Sequence, residues 1–203
     1  MNEFYSLLDR YNTCQNPAEA AEIEAQLWAR WGVQRTVLVQ DMSGFSRLVR
    51  RWGIVHYLTM VRQMQILTRP LVQAMGGEVV KYEADNLYAS FLDPESAVLA
   101  ARAINAAFRT YNLTQPVDKD IHVSIGIASG RILLLPGQDF FGDAVNIACK
   151  LGEDLAERGQ VLIEDDSFSL LGKETQAGFE SAQWEISGLS LSGWHWTTRV
   201  PGA

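Results

Sequence analysis

The sequence is poor in the residues that build disulfide-rich folds and histidine metal sites. Its two cysteines, Cys14 and Cys149, form no Cys-x-x-Cys pair, which indicates reduced thiols and a cytoplasmic protein. Its three histidines are widely separated and lack the spacing of metal ligands. Neither the Gly-x-Ser-x-Gly sequence of hydrolases nor a P-loop occurs. These classes of site are therefore poorly supported.

Long apolar runs and excess basic charge are also missing. No uninterrupted apolar stretch reaches the roughly 20 residues needed to cross a bilayer, and the polar N-terminus, MNEFYSLLDRYN, does not resemble a signal peptide. With 17 basic and 24 acidic residues the net charge is −7. That balance argues against a nucleic-acid or anionic-membrane surface, although a local basic pocket can still bind phosphates. We expect a soluble cytoplasmic protein with no nucleic-acid and no membrane partner.

The chain does have enough apolar sequence, 47% of 203 residues, to bury one sizeable core. Residues 17–31 place Ile23, Leu27 and Trp31 at i, i+4 and i+8, which predicts an amphipathic helix. We assign residues 1–33 to an N-terminal helical extension and residues 34–203 to the main domain.

The main domain alternates between strand-like and helix-like segments, which predicts an α+β fold with a mixed, mostly antiparallel sheet flanked by helices. The predicted elements are a strand at 35–40, two helices within 43–75 broken near Gly53, a hairpin turning at 84–86, a helix from Pro94, a hairpin turning at Ser129-Gly130, a helix capped by Asp143, a strand at 160–165, and strands around 179–186 and 194–200.

Asp41 ends the strand-like stretch 37–40 and is followed at once by a Gly-containing turn. Asp85 falls in the predicted turn of the first hairpin. If the two strands are neighbours, two carboxylates meet at one sheet end, as in proteins that hold Mg²⁺ or Mn²⁺ against phosphates. The backbone of residues 42–44 can add carbonyl ligands. The other interpretation is that Asp41 caps the next helix and Asp85 merely suits a turn.

Three further polar residues extend this pattern. Lys81 lies four residues before Asp85 on the same predicted strand, about 13 Å away. At that distance it would serve another part of a ligand or another site. The alternative is a solvated lysine on an edge strand. Asn146 and Lys150 stand at i and i+4 on one helix face. An amide and a cation so placed can orient a ribose and stabilise phosphate charge, although a solvated helix face is the plainer interpretation.

Taken together, three segments resemble the ordered motifs of the class III nucleotidyl cyclases, the adenylate and guanylate cyclase family. DMSGF at 41–45 is similar to the family's Asp-Ile-x-Gly-Phe metal loop, and KYEAD at 81–85 to its Lys-x-x-Gly-Asp hairpin. DFFGDAVNIACK at 139–150 is similar to the Asp-x-x-Gly-x-x-Val-Asn-x-Ala-x-Arg helix. The similarity covers about residues 35–200 and implies the family's ferredoxin-like, palm-type core.

The resemblance implies a role for each matching residue. The metal ligands would be Asp41, Asp85 and the backbone of Met42, and the catalytic residues Asn146, which orients the ribose, and Lys150, at the position of the transition-state arginine. The substrate-binding residues would be Gly44 and Phe45 of the metal loop, with Lys81 and Asp139 as the pair that recognises adenine. Guanylate cyclases instead tend to carry Glu and a small Cys or Ser at those two places.

The implied activity is that of an adenylate cyclase, which converts ATP to 3′,5′-cyclic AMP and pyrophosphate with two Mg²⁺ or Mn²⁺ ions per site. In the family one subunit holds the metals, and its partner contacts the base and the ribose. The resemblance therefore implies a head-to-tail homodimer with two sites at its interface, an arrangement that agrees with the separation of Lys81 from Asp85.

Three positions depart from the family pattern. Ala84 replaces the glycine before the second metal aspartate, a mild change unless that residue needs a positive φ. Lys150 keeps a positive charge but lacks the planar fork of arginine. Ser187 stands where the family often has a lysine for the terminal phosphates, with Lys173 and Arg131 as candidate substitutes.

These departures predict an enzyme that is slow, prefers Mn²⁺ or depends on activation. The alternatives are a catalytically impaired pseudo-cyclase, which would act as a nucleotide-binding or dimerisation module, and a cyclase of another nucleotide such as GTP.

Overall fold

The helices begin with two at the N-terminus and continue around a central sheet. The computed structural model describes residues 3–186 and 189–197, without the side chains of residues 45–47, 186 and 189. The α-helices in this part of the chain are α1 (Glu3–Thr13), α2 (Pro17–Trp31), α3 (Phe45–Trp52), α4 (Ile54–Ala74), α5 (Pro94–Asn112), α6 (Asp143–Cys149), α7 (Asp165–Ser169) and α8 (Lys173–Gln176). α6 continues directly into a π-helical segment, Lys150–Leu155, and a 3₁₀ turn spans Val117–Lys119.

One eight-stranded sheet forms the centre of the described structure. Its strands are β1 (Gly32–Met42), β2 (Glu78–Glu83), β3 (Asn86–Phe91), β4 (Val123–Leu135), β5 (Asp139–Phe141), β6 (Gln160–Glu164), β7 (Glu180–Ile186) and β8 (Leu189–Thr197). The spatial order is β2-β3-β1-β4-β6-β8-β7, with β5 paired to β4. Only β4 and β6 run parallel among these pairs. The predicted α+β fold with a mixed, mostly antiparallel sheet is confirmed.

The alternation of side chains along β1 divides the core into two layers. Leu38 and Met42 face the layer that contains the apolar stripes of α4 and α5. Val37 and Val39 face the other layer, where Ala144 of α6 packs against them. Because side chains alternate along a strand, Asp41 points to the same side as Val37 and Val39.

The N-terminal helices pack on the domain through a third, smaller cluster. Phe4 and Leu7 of α1 and Ile23 and Leu27 of α2 are buried against Leu135 at the end of β4. The predicted amphipathic helix is therefore confirmed, with Trp31 partly buried at its edge. The division of the chain at residues 33 and 34 stays a prediction. None of the described helices combines the length and the apolar character that a membrane crossing requires.

The predicted turn at Ser129-Gly130 was wrong. β4 runs straight through it, with Ser129 paired to Thr36 and Gly130 to Arg35 of β1. Gly130 serves packing instead, because a Cβ there would lie only 3.0 Å from the Cβ of Ala144. The hairpin turn comes later, between β4 and β5.

Two other boundaries differ from the sequence prediction. Asp143 is the first residue of α6, and the N-cap is Gly142, which has φ 151° and no capping side chain. The last strand, predicted at 194–200, already begins at Leu189, and the final residues of that prediction lie outside the described residues. The break between α3 and α4 at Gly53, which has φ 85°, is confirmed.

Candidate active site

Asp41 and Asp85 come together at one end of the sheet. β1 and β3 pair in antiparallel register, with Gln40 opposite Leu87. Asp41 follows Gln40 directly, and Asp85 lies in the β2–β3 turn two residues before Leu87. The structure thus places the two carboxylates as the sequence pattern predicted, at adjacent strand ends.

The carboxylates form an uncompensated negative site. The pKa of Asp41 is raised from 3.8 to about 6, first by partial burial and then by the nearby charges of Asp85 and Glu153, against a hydrogen bond from the Met42 backbone N–H. A divalent cation would relieve the repulsion between these negatively charged carboxylates. Mg²⁺ is commonly held by one or two carboxylates plus substrate phosphates. The donor set therefore fits Mg²⁺ or Mn²⁺, with Asp41, Asp85 and the Met42 carbonyl as the residues that would hold it.

Tyr57 belongs to this site although the sequence did not reveal it. Its hydroxyl donates a 2.5 Å hydrogen bond to Oδ2 of Asp85, and the side chain is only 2% exposed. Burial, followed by the bond to Asp85, raises the pKa of the Tyr57 hydroxyl. The available signal was a tyrosine in the apolar stripe of α4, beside Met60, Val61 and Met64.

Ala84 holds the turn before Asp85 in a left-handed backbone conformation. Its φ is 50°, and it alone has a positive φ among the non-glycine residues that the structure describes. The sequence prediction named a positive φ as the case in which alanine is not a mild change, and the structure shows that case, because a Cβ in this region clashes with the backbone and costs about 1–2 kcal/mol.

We expect Ala84→Gly to raise the free energy of unfolding by about 0.5–1 kcal/mol. Glycine removes the backbone strain, and the greater conformational entropy of glycine in the unfolded chain offsets part of that gain. Urea denaturation measures the change. Ala106→Gly, at an exposed position of α5, is the matched control and should instead lose about 1 kcal/mol. A loss of stability at residue 84 would contradict the strain.

The raised pKa of Asp41 makes a pH-dependent prediction for the metal-free protein. An acid whose folded-state pKa is raised destabilises the fold above that pKa, and the cost disappears as the pH falls from about 6 towards 3.8. We expect Asp41→Asn to be more stable than wild type at pH 8 in EDTA by about 1–2 kcal/mol, after allowance for solvent screening. The difference should shrink steadily below pH 6 in urea titrations.

Two comparisons check this result. Asp154→Asn, which changes an exposed carboxylate, should show no such advantage. Addition of Mn²⁺ should stabilise wild type and leave Asp41→Asn nearly unchanged. Equal responses of both proteins to Mn²⁺ would contradict a metal role for Asp41.

The predicted base-recognition pair is in contact. Nζ of Lys81 lies 3.1 Å from Oδ1 and 3.2 Å from Oδ2 of Asp139, 2.9 Å from Oε2 of Glu83 and 5.0 Å from the centre of the Tyr88 ring. Burial by itself would lower the pKa of Lys81, but the hydrogen bonds to Glu83 and Asp139 outweigh it and raise that pKa. Lys81 therefore stays charged.

A cavity of about 440 Å³ joins this pair to the helix that follows. It is lined by Lys81, Tyr88, Asp139, Phe140, Phe141, Gly142, Val145, Asn146 and Cys149. We call it the base cavity. The Cys149 thiol in its wall has a pKa raised to about 12, first by burial and then by the charge of Glu153, so it is not a reactive nucleophile.

Lys150 lies in a second, adjoining cavity of about 380 Å³, which we call the lysine cavity. Asn146 and Cys149 line both cavities, and Asp143, Ile147, Asp154 and Leu191 complete the second. Within the described residues the side chain of Lys150 makes no ion pair or hydrogen bond. Its ammonium group is thus available to a ligand, and the role predicted for it beside Asn146 stays a prediction.

The remaining predicted residues give partial outcomes. Gly44 is the N-cap of α3 with φ 99°, a conformation that favours glycine, and Phe45 begins that helix with its side chain outside the description. Ser187 also lies outside the described residues. Arg131 stacks on Trp28 at 4.4 Å, and Lys173 begins α8. Neither candidate cation is among the residues that line the two cavities.

Comparison with known proteins gives relatives of one kind. No family model matches the chain. A Rhizobium meliloti protein assigned as adenylate cyclase 3 is 32% identical over 163 residues, which make up 79% of this chain and 27% of that protein. A guanylate cyclase of Toxoplasma gondii is 32% identical over 89 residues, 41% of this chain and 2% of that protein. The chain therefore spans only a minor part of the length of these relatives.

A solved structure matches over much more of its length. The crystal structure of an adenylate/guanylate cyclase/hydrolase from Silicibacter pomeroyi shares 27% identity with a TM-score of 0.72, over 83% of this chain and 98% of that chain. The match to nearly all of a solved cyclase chain agrees with the cyclase relatives found by sequence, and in both sequence and fold the chain is similar to the class III nucleotidyl cyclases.

Proposed function

We propose that this domain is an adenylate cyclase, which converts ATP to 3′,5′-cyclic AMP and pyrophosphate at the interface of a homodimer. The observation that carries the proposal is the base cavity, where a lysine–aspartate pair and an asparagine line one space. Adenine presents one acceptor and one amino donor on its Watson–Crick edge. Lys81 and Asp139 supply the complementary donor and acceptor.

The other residues act on the ribose and the phosphates. Asn146 lines both cavities, so its amide can hold the ribose between the base and the triphosphate. Lys150 supplies positive charge next to it. Divalent ions bound at Asp41 and Asp85 would lower the pKa of the ribose 3′-hydroxyl and neutralise the triphosphate. By holding those ions, the two carboxylates would set where the 3′-hydroxyl lies relative to the α-phosphate.

The separation of the two halves supports a dimer. Asp41 and Asp85 are not among the residues that line the base cavity or the lysine cavity. Lys81 also lies within β2, opposite Tyr88, whereas Asp85 lies in the turn beyond the end of that strand. A nucleotide that fills the base cavity of one chain therefore draws its metal ligands from another chain in a head-to-tail pair.

The direct test is purified protein with ATP and Mn²⁺ or Mg²⁺, with cyclic AMP as the measured product and Asp41→Ala as the control. GTP, CTP and UTP in parallel test the base. Product from ATP alone supports the proposal, and product from GTP alone corrects the base. No product above the control with either metal would overturn the cyclase activity and favour the nucleotide-binding or dimerisation module.

Lys150 gives a separate prediction about rate. Arginine grips a phosphate with two parallel N–H groups, whereas lysine acts as a point charge. We expect Lys150→Arg to raise kcat severalfold, on the order of 5-fold, because charge on the leaving phosphate is better stabilised in the transition state. Lys173→Arg is the matched control and should leave kcat unchanged. An unchanged kcat for Lys150→Arg would count against the weakened transition-state contact.

A further inference from the structure

We propose that Glu153 is a positioning residue that holds the metal-binding turn and the base cavity of one protomer in a fixed relation. This role rests on the proposed function, because it assigns the turn to metal and the cavity to nucleotide. Neither the motifs nor the spacing of the sequence singled out Glu153. Its assignment comes from the contacts of its carboxylate.

One oxygen of Glu153 accepts hydrogen bonds from residues beside the metal-binding turn and in the base cavity of the same protomer. Asn86 Nδ2 and the Tyr88 hydroxyl each donate to Oε1 over 3.0 Å. Asn86 directly follows Asp85 in the turn, whereas Tyr88 lines the base cavity and carries Lys81 over its ring. Hydrogen bonds to a carboxylate are stronger than neutral ones. Glu153 therefore connects the residue next to a metal ligand with the residue beneath the base-binding lysine.

The backbone that carries Glu153 is fixed against the sheet. Glu153 lies in the π-helical segment Lys150–Leu155, just after Gly152. A Cβ on Gly152 would lie 2.7 Å from the Val39 carbonyl oxygen, and one on Gly126 would lie 2.2 Å from the Ala148 carbonyl oxygen. Only glycines permit this approach of segment and strands. The carboxylate thus projects from a support whose position relative to β1 is set by close backbone packing.

Glu153 is not itself a third metal ligand. Among the residues that the structure describes, no three carboxylate, imidazole or thiol side chains lie close enough to share an ion. The Cys149 thiol, which also lines the base cavity, donates a further hydrogen bond to Glu153. The role of Glu153 then passes through Asn86, Tyr88 and Cys149, and it depends on hydrogen-bond acceptance. Glutamine at this position keeps an acceptor oxygen, whereas alanine removes it.

The test compares Glu153→Ala, Glu153→Gln and Glu157→Ala, the last an exposed glutamate just beyond the end of the π-helical segment. We expect Glu153→Ala to raise the KM for ATP about 10-fold and to weaken half-saturation by Mn²⁺ severalfold, while Glu153→Gln stays within about 2-fold of wild type. Glu157→Ala should match wild type. Thermal unfolding of each variant separates these effects from loss of folded protein.

Double variants separate the effect of the Glu153–Tyr88 hydrogen bond from that of the Glu153–Asn86 hydrogen bond. The effect of Glu153→Ala on ATP should largely vanish in a Tyr88→Phe background, and its effect on Mn²⁺ in an Asn86→Ala background, because the mediating partner is already absent. Effects that persist unchanged in both backgrounds would overturn the proposal. So would a Glu153→Gln protein as impaired as Glu153→Ala, since that result would assign the role to charge.

The experiment stays decisive if no cyclase activity is found. Binding of a fluorescent ATP analogue and Mn²⁺-induced thermal stabilisation replace KM and half-saturation in that case. Weaker binding of both by Glu153→Ala, with recovery in Glu153→Gln, supports the positioning role although the cyclase reaction fails. Unchanged binding of both overturns the positioning role whether or not the protein is a cyclase.

Discussion

Asp41→Ala and Asn146→Ala, each nearly inactive by itself, are expected to regain activity when the two proteins are mixed. Each variant should lose about a thousandfold in kcat, because one lacks a metal carboxylate and the other the ribose contact. In the proposed dimer a mixed pair has one site with both substitutions and one intact site. Random exchange of equal amounts makes half of the dimers mixed, so about a quarter of the wild-type rate should return.

A matched pair from one half of the site gives the control. Asp41→Ala mixed with Asp85→Ala should recover nothing, since both substitutions remove metal ligands and every site lacks one. Cyclic AMP formation is measured after the mixtures have equilibrated long enough for subunits to exchange, which size-exclusion chromatography of a labelled chain can follow. Absence of recovery in the Asp41→Ala and Asn146→Ala mixture, despite demonstrated exchange, would contradict a site shared between chains.

Phe4→Ala is expected to lower the free energy of unfolding by about 3–4 kcal/mol, a large share of the stability of a domain this size. Phe4 is only 2% exposed and meets Trp31 edge-on at 5.2 Å. It also stacks on Phe141 at 5.8 Å. The substitution leaves a cavity between α1, α2 and β5 that the rigid sheet cannot close. Urea denaturation measures the loss.

The same substitution should also weaken nucleotide binding, because Phe141, which packs on Phe4, lines the base cavity. We expect the KM for ATP to rise more than kcat falls at a temperature where the variant is folded. Tyr5→Ala, at an exposed position one residue along the helix, is the matched control and should change the stability by less than about 1 kcal/mol. A stability loss as small as that of the control would contradict the buried role of Phe4.

Much of the sheet could be predicted because its signals are local. The carboxylate at Asp41 follows an apolar strand, and Asp85 sits in a turn flanked by strand-like residues, so their meeting required only that the strands be neighbours. The pairing of Gln40 with Leu87 supplies that condition. The contact of Lys81 with Asp139 depended on the family resemblance, because residues 58 positions apart carry no local sign of proximity.

The errors arose where tertiary packing overrides local preference. Ser129-Gly130 has turn composition, yet Gly130 is needed to admit Ala144 of α6 against β4. The φ of Ala84, which the sequence left open, is positive because the connection between β2 and β3 is short, and such a turn position favours glycine. Tyr57 and Glu153 were missed for a related reason. In each case the local sequence predicts the secondary structure and the apolar face of the segment. It does not predict which distant residue the polar end of the side chain contacts.

The close approach of Gly126 and Gly152 bears on how such an enzyme would be switched on and off. At these two glycines the backbone of the segment that begins with Lys150 packs directly against the backbone of the strands next to Asp41. We therefore expect the two half-sites of one protomer to move together as a rigid body. In the proposed dimer, the gap between the cation of one chain and the carboxylates of the other then varies only through rotation of one protomer against its neighbour. An activating signal would then act by rotating one protomer relative to the other.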